Sequence, residues 1–473
     1  MPRIAPGRLC DTKEIAYSVT ATFARTISGQ VSTTARLGKC VTLPSRVTNT
    51  DNVVKKDHGI FYPAFCKAED NELSTLFSKI NVDALVARAS QLRQGIECSV
   101  APFQYDSAKR RSHMGGMNYH IEILFADNVV WVARMRRSNT TSPPQVVRDY
   151  IFESEVATLM FLETTAVPTP KVHGYALEHE SNPVGVGYIL MEKLPGKALD
   201  WPAASPDQRR KVMEQLADVL IEIYKHPLPA LGSLATPGRP HVAAFAHESL
   251  LTVVGGRLQT CSPFRSAEQY RRSHLRLILD RILAQEMYAT QPVEAYLLHR
   301  FLVDLVPVLT PPASGNEKFY LKHDDDKGDH ILVDESFNIT GIIDWEWAHT
   351  AAPAEAFNSP VGLLPVADFY AGKGAIGADE AVFAQLLQEK GHGPLAQFVL
   401  EGRVQHLFAF CCGIDLSDWD GFLGLFRGLR DASGVDAGMT WEDWKGTALD
   451  RYKEDAGLQE LLIRCGSGNG GGG

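Results

Sequence analysis

Within eight residues, 323 to 330, the chain sets four aspartates, two histidines and a lysine, and flanks them with apolar, strand-like runs. The segment reads Phe319-Tyr-Leu-Lys-His-Asp-Asp-Asp-Lys-Gly-Asp-His-Ile-Leu-Val-Asp334, and then Ile339-Thr-Gly-Ile-Ile-Asp-Trp-Glu346. Ile331 to Val333 and Ile339 to Ile343 flank a turn at 334 to 338, so the two runs are expected to pair as a hairpin. That hairpin would hold the acidic loop at one end and Asp344 at the other. An acidic run alone is most simply a solvated loop. Apolar strands on both sides of it point instead to a site. A calcium loop of the EF-hand type wants acids at alternate positions, Gly at the sixth and Glu at the twelfth, and this run does not keep that spacing. Two carboxylates held rigidly beside each other suit phosphoryl transfer to a hydroxyl. One takes or orients the hydroxyl proton, and the other holds Mg²⁺ against the phosphates.

Around this segment the chain divides in two. Residues 60 to 192 carry strand signals. Ile121 to Phe125, a turn at 126 to 128, and Val129 to Arg134 read as a hairpin, and Gly185 to Met191 as a further strand, with a helix from about Pro144 to Thr164 between them. Residues 193 to 462 are mostly helical. Ser205-Pro-Asp-Gln208 is a helix start with Ser as N-cap, Pro at the first helical position and Gln closing a capping box. Val212, Met213, Leu216, Val219, Leu220 and Ile223 then recur at helical spacing, and Pro227 ends the run. Helical patterns return at 265 to 305 and 380 to 462, with one short strand pair embedded among them. Strands first and helices later predict an α+β architecture: a small β-rich N-lobe at 60–192 and a larger, mainly helical C-lobe at 193–462.

Residues 1–55 are basic and rich in Ser and Thr, with Asp11 and Glu14 the only acids up to residue 50. They read as a disordered leader, with a mitochondrial transit peptide as the alternative to a cytoplasmic protein. Residues 463–473 end in glycines and read as a flexible tail. The formal net charge of −9 argues against nucleic acid as a partner. No run of 18 uncharged apolar residues predicts a transmembrane helix. The eight cysteines form no Cys-x-x-Cys pair and read as reduced thiols.

The acidic segment resembles the His-x-Asp-x-x-x-x-Asn loop and the following Ile-Asp-Trp-Glu of the aminoglycoside phosphotransferase family, over roughly residues 75 to 460. That family shares the protein-kinase-like fold and has many fungal members of unassigned substrate. The resemblance implies an ATP-dependent kinase of a small hydroxylated or amine-bearing molecule. It makes His323 the structural histidine, Asp325 the catalytic base and Asp344 a Mg²⁺ ligand. Asp324 and Asp326 are rivals for base. Asp325 keeps both the two-residue step from His323 and the five-residue step to position 330. There the family has Asn on a second Mg²⁺, and this chain has His330, a poor magnesium ligand. One metal, Mn²⁺ in place of Mg²⁺, or a pseudokinase without turnover would each follow. Lys327 would neutralise charge on the migrating phosphoryl group, or simply pair with the neighbouring acids.

For the nucleotide, the resemblance points to Gly115-Gly116 as a loop over the phosphates, and to Arg134 on a strand as the cation, with Arg136 as runner-up. Glu155 lies on an apolar helix face beside Ile151, Leu159 and Leu162, so its charge needs a cationic partner, and Arg134 is the natural one. The run Met191-Glu192-Lys193-Leu194-Pro-Gly196, Met191 and Glu192 included, stands where the fold's hinge meets adenine. A protein kinase is disfavoured, because Asp344-Trp-Glu replaces Asp-Phe-Gly and the segment after it is short. His173, Trp419, Trp441 and Trp444 read as packing residues, and Asp415, Asp418 and Asp420 as a solvated loop.

Overall fold

The structure, a computed structural model, describes residues 67–102, 117–139, 142–260, 263–310, 315 and 317–468. The leader at 1–55 and the Gly115-Gly116 pair lie outside the described residues. A helical stretch at 67–79 and helix α1 (Val82–Leu92) precede strand β1 (Cys98–Val100). The chain then forms β2 (Asn118–Phe125), β3 (Val130–Arg136), helix α2 (Gln145–Leu162), β4 (Val172–Ala176) and β5 (Tyr188–Glu192). The strands make one antiparallel sheet in the order β1-β2-β3-β5-β4. Strand side chains alternate between faces. Tyr119, Ile121, Ile123 and Phe125 of β2 therefore join Trp131, Ala133 and Met135 of β3 on one face, buried against Leu73, Leu76, Leu85 and Ala89. Val130, Val132, Arg134 and Arg136 are left on the other face, toward the rest of the molecule. The β2–β3 turn takes Asn128 at a left-handed φ, and Asp127 accepts from the Val129 N–H and binds Arg93 through both oxygens.

Helix α2 begins without a side-chain cap and buries residues on most of its circumference. Two further strand pairs explain this. β6 (Lys197–Ala198) and helix α3 (Pro206–Tyr224) come first, and α3 opens with the expected capping box at Ser205 and Gln208. Then β7 (Ser233–Thr236) pairs with β8 (Arg239–Ala243), and β9 (Leu251–Val254) with β10 (Arg257–Thr260). Leu228, Leu234 and Val242 pack on Ala157 of α2, and Ala246 and Leu251 on Val147 and Ile151. The expectation of a single strand pair in the helical part is thus corrected. These strands are four or five residues long and bury few of their residues, so they carry little apolar alternation.

The acidic-loop segment follows helices α4 (Ala267–Leu283) and α5 (Pro292–Leu309). β11 (Tyr320–Lys322) pairs with β14 (His349–Ala351), and β12 (Ile331–Val333) pairs with both β13 (Ile339–Ile342) and β6. The β12–β13 hairpin is the expected one, but its polarity corrects the expectation. Ile331 pairs with Ile342, and the Ile343 N–H donates to the His330 carbonyl. The acidic loop and Asp344 therefore leave from the same open end, side by side. The remaining chain is helical. Its largest core gathers α4, α5 and the helices Arg403–Cys411, Trp419–Ser433 and Trp441–Arg451 around Phe301, Phe422, Phe426 and Trp444. The last helix, Ala456–Gly468, runs into the stretch read as a tail, because Leu458 and Leu461 are fully buried and Arg464 donates to the Leu283 carbonyl. Among the described residues no helix is long and apolar enough to cross a membrane.

Candidate active site

The open end of the β12–β13 hairpin faces the polar face of β3, and the side chains of both meet there. His323 is buried and bonded on both ring nitrogens. Its Nε2 donates to the Ile343 carbonyl at 2.9 Å, and its Nδ1 accepts from the Asp325 N–H at 3.2 Å. One ring thus ties the acidic loop to the residue before Asp344. Beneath it, His323 lies against the rings of His330 and Trp345, at 4.2 and 4.7 Å between centroids.

The three consecutive aspartates have different fates. Asp324 sits 3.5 Å from His349 Nδ1. Asp326 accepts from the Val361 N–H at 3.2 Å and lies 3.6 Å from Lys322. Asp325 faces Lys327, with its Oδ2 at 2.6 Å from Nζ. Burial pushes the Asp325 carboxyl above its ordinary range, against the pull of the Lys327 ammonium. Burial would lower the Lys327 ammonium, but Asp325, Asp329 and Asp344 outweigh it and hold it above the usual lysine range. Gly328 completes the loop at φ +108°, a conformation that glycine adopts at least cost.

His330 does not present a metal-binding nitrogen. Its Nδ1 accepts from the Gly328 N–H at 3.3 Å, so the proton of the neutral ring sits on Nε2. Burial, with help from His323 and Lys327, holds the ring well below the usual histidine range and so neutral. Asp344 does present oxygens. It adopts a left-handed φ of +65° and stays half-exposed, with Oδ1 at 2.7 Å from Arg134. Burial opposes its ionisation, but Arg134 above all keeps its carboxyl below the ordinary range. Among the described residues no three His, Cys, Asp or Glu side chains cluster closely enough to hold a metal. One hard cation on Asp344, completed by phosphate oxygens, fits this donor set.

Arg134 is the junction of the two lobes. Its Nη1 pairs with Glu155 of α2, and its Nη2 with Asp344 at 2.7 Å and Glu346 at 3.0 Å. Arg136 pairs with the other oxygen of Glu346 and lies 3.6 Å from Glu248, and burial pushes its guanidinium down to about 10. Asn118 donates to Glu346 Oε2 at 3.0 Å. Asn118 closes the Gly-Gly-Met-Asn run of the expected phosphate loop but was not expected to bind Glu346, and no local motif announces Glu248.

The segment expected to be the hinge, 191–196, divides in two. Met191 and Glu192 belong to β5, opposite Val132 and Trp131, and the Glu192 N–H is spent on the Lys171 carbonyl. The chain turns only after them, at Lys193 to Gly196. There Gly196 has φ +103°, and a Cβ would stand 2.6 Å from Thr340 Oγ1. His173 stacks on Trp131 at 3.8 Å and is pushed down to about 4, first by burial, so it is a packing residue. Asp418 caps the helix Trp419–Ser433, and Asp415 accepts from the Ser417 N–H.

Residues 141–359 match the sequence profile of the phosphotransferase enzyme family. A clavilactone A biosynthesis cluster protein Y from Ampulloclitocybe clavipes is 28% identical over 50% of this chain and 59% of its own length. A subtelomeric hrmA-associated cluster protein of Aspergillus fumigatus is 40% identical over 88 residues, 18% of this chain and 17% of its own. The chain therefore spans less than two thirds of the curated relatives it matches. Among solved structures, a provisional fructosamine-3-kinase of Thermobifida fusca superposes with a TM-score of 0.44 at 14% identity, covering 75% of this chain and 100% of that one. The profile match covers less than half of the chain, from just before α2 to beyond Asp344 and Glu346, and over that stretch this α+β chain is similar to the phosphotransferase enzyme family.

Proposed function

We propose that the protein transfers the γ-phosphoryl group of ATP to a hydroxyl of a small molecule. The observation that carries this is the meeting of Arg134, Asp344 and the Asp325–Lys327 pair at the open end of one hairpin. Arg134 would take the nucleotide's α and β phosphates, held rigid by Glu155. The hinge at 193–196 would take the base, and Gly115-Gly116 would cover the phosphates. Asp344 would hold Mg²⁺, which neutralises phosphate charge when bound. Asp325 would orient the acceptor hydroxyl and take its proton, a role that a raised pKa suits. Lys327, already on Asp325, would stabilise the phosphoryl oxygens in flight. The relative named for a biosynthesis cluster supports a small-molecule acceptor.

A second reading, a nucleotide-binding module without turnover, draws support from His330. Its protonated Nε2 offers a hydrogen-bond donor where the family offers a metal ligand. The test is a thermal-shift titration with ATP and Mg²⁺ or Mn²⁺, on the wild type and on Asp344→Ala. A ligand that binds only the folded state raises the melting temperature by mass action. Metal-dependent stabilisation that disappears in Asp344→Ala supports a phosphoryl-transfer site. No response of the wild type to any nucleotide–metal pair sinks the enzyme reading. Single-turnover assays against pooled metabolites then separate the kinase from the silent module.

A further inference from the structure

Arg134 Nη2 has two anionic acceptors, Asp344 and Glu346, where one would suffice. We propose that Glu346 is a positioning residue: it keeps Arg134 neutralised so that Asp344 is free to leave it for a divalent cation. The proposal rests on the phosphotransferase reading above.

The exposures separate the two carboxylates. The side chains of Arg134, Glu155 and Glu346 are 7%, 5% and 3% exposed, and that of Asp344 is 54% exposed. A buried guanidinium stripped of its counter-ions is strongly destabilising. With Glu155 on Nη1 and Glu346 on Nη2, Arg134 stays paired at both ends when Asp344 turns away. Without the charge of Glu346, Asp344 would be the one anion left on Nη2, and the cation would have to compete with Arg134 for it. Glu346 is itself badly placed to bind a metal. Its Oε1 is held by Arg136, and its Oε2 by Arg134 and Asn118. The carboxylate two residues after the metal-facing aspartate therefore serves as a counter-ion and not as a second ligand. Arg136 works against it by sharing its charge, and Glu248, 3.6 Å from Arg136, takes up part of that demand.

The experiment titrates free Mg²⁺ at fixed, saturating ATP and reads the metal concentration that gives half the nucleotide-dependent rise in melting temperature. Glu346→Gln keeps the shape and loses the charge. It should raise that midpoint about tenfold, within the range usual for coupling between neighbouring sites, while the ATP midpoint at saturating metal changes little. Glu346→Asp keeps the charge and loses the shape, and should lie much nearer the wild type. Arg136→Met leaves the whole charge of Glu346 to Arg134, and should leave the midpoint unchanged or lower it. An unchanged midpoint in Glu346→Gln overturns the proposal, as does Glu346→Asp behaving no better than Glu346→Gln, which would mean that shape decides. A raised midpoint in Arg136→Met overturns it too, and this variant decides the matter if Glu346→Gln does not fold. A wild type that ATP and Mg²⁺ fail to stabilise brings down the phosphotransferase reading first and this one with it. A wild type that responds while the variants do not follow the stated order refutes this inference alone.

Discussion

Asp325 and Lys327 form a pair whose members pull in opposite directions. Burial raises the carboxyl, and the ammonium 2.6 Å away partly restores it. If Asp325 takes the acceptor's proton, turnover should fall on the acid side at a pH above the ordinary carboxylate range, because the base protonates early. Lys327→Met removes the charge that favours the carboxylate, so the acid limb should move to still higher pH, and kcat should fall as well. A pH–rate profile of the two proteins checks both points, and an acid limb that moves down in Lys327→Met contradicts the pairing. Asp325→Asn should lower kcat by about 10²–10⁴, the usual worth of a general base, and leave ATP binding nearly intact. At Arg134 the stakes are structural as well. Glu155→Gln removes one side of a buried ion pair and should cost about 3–5 kcal/mol of stability by urea denaturation.

Between elements, the sharpest constraint is the crossing of the 193–196 turn, the proposed hinge, over the β12–β13 hairpin. Gly196 combines a left-handed φ with contact distance to Thr340 and the Val333 carbonyl, and Thr340 donates to the Pro195 carbonyl. Gly196→Ala should therefore cost at least about 1–3 kcal/mol and weaken nucleotide binding through the displaced hinge, as denaturation and thermal shift would measure. A stable Gly196→Ala with wild-type nucleotide response would mean that the hinge bends freely. Tyr150→Phe loses the bond from α2 to the Ala244 carbonyl and should cost about 1 kcal/mol. The two hairpins of 121–134 and 331–343 were legible in the sequence, because apolar runs and turn residues mark each of them locally. The hairpins of β7–β10 were not, since their short strands bury few of their residues. Pro237-Gly238 and Gly255-Gly256 are the turn signals that a closer reading could have used. The site divides the same way. Asp325 and Asp344 were singled out by the resemblance that one 24-residue segment carries. The Asn118–Glu346 contact spans 228 residues and exists only once the lobes are joined.

At the scale of the whole molecule, the lobes are joined by buried charge, and the protein also carries several histidines that burial keeps neutral. His299, His330 and His406 are at most 8% exposed, and burial lowers each below the ordinary histidine range. His274 is pushed down to about 4, again mainly by burial. The unfolded chain protonates its histidines near pH 6.5, while the folded protein does not, so the unfolded state binds more protons below that pH. Stability is then complete above about 6.5 and is lost as the pH falls, by up to about 1.4 kcal/mol per pH unit for each such histidine. The lowered carboxyls of Asp344 and Glu355 add their loss only further down, below the ordinary carboxylate range. Asp325 acts in the opposite sense, since its raised carboxyl favours the folded state once protonated. Three or more neutral histidines outweigh it. The net stability of a folded domain is only about 5–15 kcal/mol, so losses of this kind are a large part of it. Melting temperatures measured in steps from pH 7.5 to 4.5 should fall steeply below about 6.5, and proton uptake on unfolding, measured at pH 5.5, should exceed two per molecule. A flat profile with an uptake near zero would mean that these rings, His330 beneath the acidic loop included, are already charged in the folded protein at that pH.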